Sequence, residues 1–388
     1  NGRGSAARFR SPQGVAVDGS GNVYVADTGN HTIRKITPAG DVTTLAGVAG
    51  LAGWGDGDAA FSVFRSPTAL VVDGAGNVLV ADTANMTVRL VSTSGVVSTL
   101  AGRGLSPGNA DGAGADARFT RPSGIALEPG GTFVVSDSRS VRRMTATGVV
   151  STVTGETDAP MVYVDGPGAD ARFPDPAALA ADSHGNLFVA DPLTDVIRKI
   201  APSGETTTYA GVFHHCALID GPLADARFCG PSGLVIDAND NIYVSDSWNN
   251  AIRKVTPDGV VTTLAGGSEC GNCDGTGRAA GFDEPWGVTV DAAGNVWVAD
   301  SANHTIRRIT PSGVVTTVAG TAGYAGYVDG VGSSARFYSP AGIAADRHGN
   351  VYVADYSNAR IRKVTGDGVV TTLLGPRDER PVGIQVDG

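Results

Sequence analysis

Residues 22 to 47 read NVYVADTGNHTIRKITPAGDVTTLAG. Nearly the same phrase returns at 77 to 102 (NVLVADTANMTVRLVSTSGVVSTLAG), 241 to 266 (NIYVSDSWNNAIRKVTPDGVVTTLAG) and 295 to 320 (NVWVADSANHTIRRITPSGVVTTVAG). Its aspartate falls at Asp27, Asp82, Asp137, Asp191, Asp246, Asp300 and Asp355, so the steps are 55, 55, 54, 55, 54 and 55 residues. Self-similarity at a fixed period outranks every other reading of a sequence, because it sets the architecture.

Within a unit, four short runs alternate apolar with polar or small residues, as GVAVD, NVYVAD, TIRKI and VTTLAG do in the first. We name them strands A to D. GSGN and TPAG separate them, and Gly, Pro and Asn supply the backbone angles of tight turns. Four antiparallel strands per unit, repeated radially, predict an all-β propeller of seven four-stranded blades, since one blade cannot bury both faces alone. The units cover approximately 12–47, 67–102, 122–155, 176–211, 231–266, 285–320 and 340–375, within one domain spanning 1–388. Residues 381–388 (PVGIQVDG) read as an additional strand A, either a latch that closes the ring or the start of a truncated eighth unit. The opening NGRGSAARFRSP matches the segment between units, which predicts a piece of a larger multidomain chain.

Composition agrees: 55 glycines, 18% charged and 41% hydrophobic residues fit a turn-rich β protein with a core. No apolar run approaches the roughly 18 residues of a membrane helix, so membrane insertion is not expected. Lys+Arg 29 against Asp+Glu 39 gives a net charge of -10, a repulsive field for nucleic acid.

The pattern P-x-G-[VI]-A-V-D-x-x-G-N-V-Y-V-A-D-x-x-N-H-x-I-R-K, with Asn30-His31 and Asn303-His304 carrying the eponymous pair, resembles the NHL repeat over essentially the whole chain. The resemblance implies the propeller fold. It leaves function open, because NHL propellers include RNA-binding modules of tripartite-motif proteins, a bacterial kinase sensor, adhesive extracellular domains and a zinc-dependent peptide-amidating lyase. The histidine becomes Met86, Asp195, Asn250 and Ala359 in other units, and unit 3 (SDSRSVRRM) has lost two residues there. A chemical role for it in every blade is therefore not expected.

Between strand D and the next strand A lies an insertion of about 20 residues with its own signature, as in DGAGADARFTRP (111 to 122). The expected structure is an Asp-Gly turn, a short helical turn, and a phenylalanine (Phe119, Phe173, Phe228, Phe337) plugging the blade junction. No cofactor is called for. Calcium is the one ion such Asp-Gly segments bring to mind, but EF-hand spacing is absent. The seven strand-B aspartates are expected to make Asx-type turns, and the arginines from Arg34 to Arg362 to tie blades together.

Function is sought where the repeat breaks its own rules. Propeller geometry places insertions and B–C loops on one face, and Trp54, Trp248 and Trp286 there, with Trp297 inside a strand. Trp248 and Trp286, beside Asp283 and Glu284, make an aromatic pair with carboxylates suited to a sugar or peptide. The plain alternative is that they cover blade junctions. His214 and His215, in the irregular VFHHCALIDG, are weak metal candidates. Four cysteines in the insertions read as disulfides, with local pairing of Cys216 with Cys229 and Cys270 with Cys273 preferred, which places the protein outside the cytosol: extracellular, periplasmic or on the cell surface.

Against catalysis stand the residues just after the strand-A proline: Gln13, Thr68, Ser123, Ala177, Ser232, Trp286 and Ala341 include no strong metal ligand, and no Ser-His-Asp spacing appears. The expected function is a non-catalytic binding module of a secreted or surface-displayed, bacterial-type protein, presenting loops to a glycan, peptide or protein. The alternative is a metal-assisted lyase or hydrolase, amidating-lyase or lactonase-like, using the insertion face.

Overall fold

The computed structural model describes residues 1–3, 7–128, 130–155, 163–174, 176–346, 348–358 and 360–374. The proposed latch strand at 381–388 and Ala359 lie outside them. The chain folds as an all-β, seven-bladed β-propeller. Two compact units are defined by their internal contacts. One comprises Asn1–Pro160, Pro167–Arg172 and Leu373–Gly388; the other comprises Met161–Gly166 and Phe173–Thr372.

Each blade has five strands where four are expected. Strands A to D pair in sequence order, as Pro12–Val17, Val23–Asp27, Thr32–Ile36 and Asp41–Ala46 do in blade 1. The fifth is a two-residue strand from the insertion, such as Gly57–Asp58, which pairs antiparallel with the start of strand D. Four-strand periodicity misses it because a two-residue strand has no alternation to read. Its physical role is to cover the outer edge, which otherwise offers unpaired backbone groups to other chains.

The aspartate before this strand extends the cover. Asp56 Oδ2 accepts the Thr99 backbone N–H at 2.9 Å and its Oδ1 the Thr99 hydroxyl at 3.1 Å. Asp165 does the same for Thr208 in blade 4. These carboxylates also take a guanidinium: Arg89 Nη2 lies 2.6 Å from Asp56, and Arg142, Arg198, Arg253, Arg307 and Arg362 reach Asp111, Asp165, Asp220, Asp274 and Asp329 within 2.7 to 2.9 Å. A cation at these Asp-Gly turns would have to displace that arginine.

The other guanidinium nitrogen, Nη1, pairs with the strand-B aspartate: Arg34 with Asp27 (2.8 Å), Arg253 with Asp246 (2.8 Å) and Arg307 with Asp300 (2.7 Å). It also donates to a carbonyl just before the insertion phenylalanine, as to Arg227 O at 2.8 Å. The guanidinium stands over that ring, 5.0 Å from the Phe228 centroid. The arginine thus binds an incoming insertion to its own blade; the expectation that it links blade to blade is corrected. The aspartate does not form the expected Asx turn either. Its Oδ1 accepts the backbone N–H of the residue after the phenylalanine (Arg10, 2.7 Å) and its Oδ2 the Asn30 amide (2.9 Å). True Asx turns sit between strands A and B, where Asp18 Oδ1 accepts from the Ser20 and Asn22 backbone.

Phenylalanines fill the junctions as expected. Phe64 packs among Tyr24, Ala26 and Ile33 of blade 1 and Leu70, Val80 and Val91 of blade 2. Phe119, Phe228, Phe282 and Phe337 occupy equivalent positions in their own clusters. Short 3-10 turns follow the Asp-Gly strands, as at Gly114–Asp116 and Gly332–Ser334.

Candidate functional site

Antiparallel order within a blade sends the B–C loop and the insertion to the same end, and their hydrogen bonds confirm it. Asn249 of the blade 5 B–C loop donates to Ala217 O, and Asn303 of blade 6 to Gly271 O, both in insertions. The candidate residues lie at this end of their blades.

Trp248 belongs to the B–C turn Ser247–Asn249 and is 62% exposed. Its indole lies on the backbone of Gly230. A Cβ added there would meet Cδ2, Cε2 and Cγ at 2.6 to 2.9 Å, and Gly230 also has a φ of +60°. Only glycine lets the ring settle flat with its other face free. Trp286, 45% exposed, is the second residue of strand A in blade 6. One stitch joins the two positions: Ser247 Oγ donates to Pro285 O at 2.5 Å, and Ser232 Oγ lies 2.5 Å from Ser247 Oγ and 3.4 Å from Trp286 O. Asp283 donates its N–H to buried Asp300, while the Glu284 N–H goes to Asn250 Oδ1 (2.9 Å) and leaves its own carboxylate exposed. Trp54, 59% exposed, repeats the flat arrangement on Gly104, in the unit that holds blades 1 to 3. Trp297 is buried in its strand and donates Nε1–H to Asp291 at 2.8 Å.

His214 and His215 are exposed on the insertion before blade 5. The His214 ring packs on Phe213, centroids 4.0 Å apart, and His215 Nδ1 lies 2.9 Å from Phe213 O. Among the described residues no group of three or more His, Cys, Asp or Glu side chains converges. Cys216 is joined to Cys229, and Cys270 to Cys273, in the expected local pairs. Two disulfides fit an oxidising compartment. No helix among the described residues is long and apolar enough to cross a membrane.

Sequence reasoning misses the exposed aromatics of two insertions. Phe213 stacks on Tyr163 at 4.7 Å, and Tyr324, Tyr327 and Tyr338 stand exposed before and at the start of blade 7. Arg360 sits over Tyr327 at 4.2 Å. Counting aromatics per insertion, rather than tryptophans alone, is the signal that finds them.

The sequence profile of the NHL repeat matches residues 9–36, 228–255 and 282–309, and that of the teneurin NHL domain residues 328–384. This chain is an NHL-repeat β-propeller. NHL repeat-containing protein 2 of Homo sapiens is 29% identical over 286 residues, which cover 64% of this chain and 39% of that protein. Teneurin-4 of Mus musculus is 26% identical over 355 residues, 80% of this chain and 12% of that one. The NHL chain thus spans well under half the length of either relative. Among solved structures, a catalytically inactive virginiamycin B lyase from Staphylococcus aureus with quinupristin superposes with a TM-score of 0.60 at 16% identity, over 90% of this chain and 94% of that one. At that identity the likeness concerns the fold.

In this NHL propeller the eponymous position has a structural task. His31 Nδ1 accepts the backbone N–H of Ser66 in the next blade at 3.1 Å. Asp195 Oδ1 accepts from Gly230, Asn250 Oδ1 from Glu284, and His304 Nδ1 from Ser339, at 2.9 to 3.2 Å. In these four the donor is the left-handed residue just before the strand-A proline, with φ between 47° and 60°. What the position needs is an acceptor, so Asp and Asn replace His freely. Met86 offers none of comparable strength, and there the Arg121 N–H turns to Asp137 Oδ1 instead (2.6 Å). Burial, together with the nearby Arg10 and Arg65, pushes the His31 pKa down, which favours the neutral acceptor.

Proposed function

We propose that this NHL propeller is a non-catalytic recognition module of a secreted, periplasmic or surface protein, and that the loop end of blades 5 and 6 contacts its ligand. The observation that carries this reading is the pair Trp248 and Trp286. Both present large apolar surface to solvent while their backbones are stitched together through Ser232, Ser247 and Pro285. Rigid aromatic anchors give contact area at low entropic cost, and the Glu284 carboxylate beside them supplies a polar handle. Such a surface suits a glycan, a peptide or a protein loop. The Ser232 and Ser247 hydroxyls and the Asn250 amide oxygen beside it are occupied in holding the blades. A solved lyase shares this fold at only 16% identity, and a fold alone does not carry a function, so the residues themselves must carry the argument.

The test is binding to glycan and peptide arrays, followed by titration of the best hit against Trp248→Ala and Trp286→Ala. Loss of tenfold or more in affinity, with no turnover of the bound compound, is expected. Turnover that requires bound metal and disappears in the His214→Ala, His215→Ala double variant would instead establish a metal-assisted lyase or hydrolase at the insertion face.

A further inference from the structure

The chain is acidic, with a net charge of -10, yet the loop end of blades 1 to 3 is basic. Arg10, Arg65 and Arg121 occupy the segments leading into strand A of those blades, and Arg103 follows strand D of blade 2. All four side chains are exposed. Neighbouring arginines of the same blades are bound: Arg89 and Arg142 hold two aspartates each, and Arg118 bonds backbone carbonyls. Among the described residues, the guanidinium groups of Arg10, Arg65, Arg103 and Arg121 form no ion pair or hydrogen bond. The nearby carboxylates are engaged, since Asp27, Asp82 and Asp137 are buried against arginines and Asp56 and Asp111 are held by Arg89 and Arg142, while Asp58 and Asp116 lie on the Asp-Gly strand and the 3-10 turn at the start of strand D. An acidic protein that leaves free arginines grouped at one loop end has a local potential opposite to its global one, which attracts anions.

An aromatic platform lies within this group. A Cβ on Gly104 would meet Trp54 Cδ2, Cε3 and Cγ at nearly equal distances, 3.2 to 3.3 Å, so the indole lies flat on that backbone and offers its other face outward. Arg103 is the chain neighbour of Gly104. The Gly53 N–H donates to Phe64 O at 3.0 Å, which brings the backbone of Arg65 close to that of Trp54. Asn85 Nδ2, donating to Gly53 O, fixes the same loop. The platform and its two arginines therefore rest on a hydrogen-bonded frame.

We propose that the loop end of blades 1 to 3 binds an acidic polysaccharide. One sugar ring stacks on Trp54, its carboxylate or sulfate pairs with Arg65 and Arg103, and the chain continues toward Arg10 or Arg121. Guanidinium forks match carboxylate and sulfate oxygens two at a time, and the flat indole face suits a pyranose ring better than an extended acidic peptide, which has no such face to stack. This inference rests on the recognition reading above but uses a different set of residues, so each can fail alone.

The experiment is titration of the intact chain with a heparin octasaccharide, a galacturonate oligomer, a neutral glucan oligomer, poly-glutamate and a single-stranded RNA, at 50 and 300 mM NaCl. The two acidic sugars are expected to bind with an affinity that falls at least tenfold at the higher salt, and the glucan much more weakly. Which acidic sugar binds tighter distinguishes sulfate from carboxylate recognition. The Arg65→Gln, Arg103→Gln double variant should lose tenfold or more, with the Lys,Lys version recovering part, and melting curves should confirm that each variant is folded. Trp54→Ala should weaken the sugars and leave any residual poly-glutamate binding unchanged. Equal binding of poly-glutamate or RNA, insensitive to Trp54, overturns the proposal. So does acidic-sugar binding that the arginine variants do not alter, or no binding of either acidic sugar. None of these results touches the Trp248 and Trp286 assay.

Discussion

Asp195, Asn250, His31 and His304 do one job with three side chains: each accepts the N–H of a left-handed residue ahead of the next blade's proline. A partly buried amide left without an acceptor costs about 1–3 kcal/mol. His31→Ala is therefore expected to destabilise the protein by about 1–2 kcal/mol. His31→Asn, which copies Asn250, should stay within about 0.5 kcal/mol of the parent. Urea unfolding followed by Trp fluorescence checks both. If the alanine and asparagine variants unfold at the same denaturant concentration, the acceptor role is wrong. The sequence shows the position and its variability, and it excludes a uniform chemical role. It cannot show the acceptor, because the partner amide lies 35 residues away in the next blade.

Strand D is the outermost of the four strands legible in the sequence, and its edge decides whether blades stay solitary. The two-residue fifth strand covers only its start, and the Asp-Gly aspartate takes over beyond that by capping a threonine. Replacing Asp111 by Ala removes the cap on Thr152 and one of the two carboxylates on buried Arg142. The expected outcome is a folded but less stable protein that associates through the bared edge. Light scattering at rising concentration measures this, and a strictly monomeric Asp111→Ala would show that the fifth strand suffices. At this scale most of the fold is readable from period and turn chemistry: the strand boundaries, the junction phenylalanines and the helical turns after Asp-Gly. The fifth strand is not, since two residues carry no periodicity. The direction of the arginine network is also hidden, because a recurring Asp and Arg look alike whether they join blades or hold one insertion. The candidate site is half legible. Tryptophans announce themselves by rarity, whereas Gly230 and Gly104 beneath them look like any turn glycine, and the unpaired arginines can be told from the paired ones only once the partners of every aspartate are known.

Across the whole molecule, repetition turns a local electrostatic arrangement into a property of the chain. Burial pushes Asp82, Asp246 and Asp300 up to about 6, against the opposing pull of their asparagine, arginine and backbone donors. In the unfolded chain they titrate near 3.8. With a folded pKa above the unfolded one, their favourable contribution is complete below 3.8 and is lost as pH rises through about 6. Asp111, Asp220 and Asp329 behave in the opposite sense. Burial tends to raise them, but the combined threonine and arginine donors hold them below the usual carboxylate range. Their contribution is present above 3.8 and is lost as pH falls through their folded values. The two sets bracket a maximum in mildly acid solution, and approach to the isoelectric point near 5.0 relieves self-repulsion in the same direction. The melting temperature is therefore expected to be higher at pH 5 than at pH 8 and to fall steeply below pH 4. Calorimetry in 0.5 M NaCl separates the causes, because salt screens surface repulsion but leaves the buried aspartates untouched. A gain from pH 8 to pH 5 that survives high salt belongs to the buried carboxylates. A melting temperature that declines steadily over that interval would mean that the arginines hold them ionised through the whole range, and that this end of the network is stronger than its burial allows.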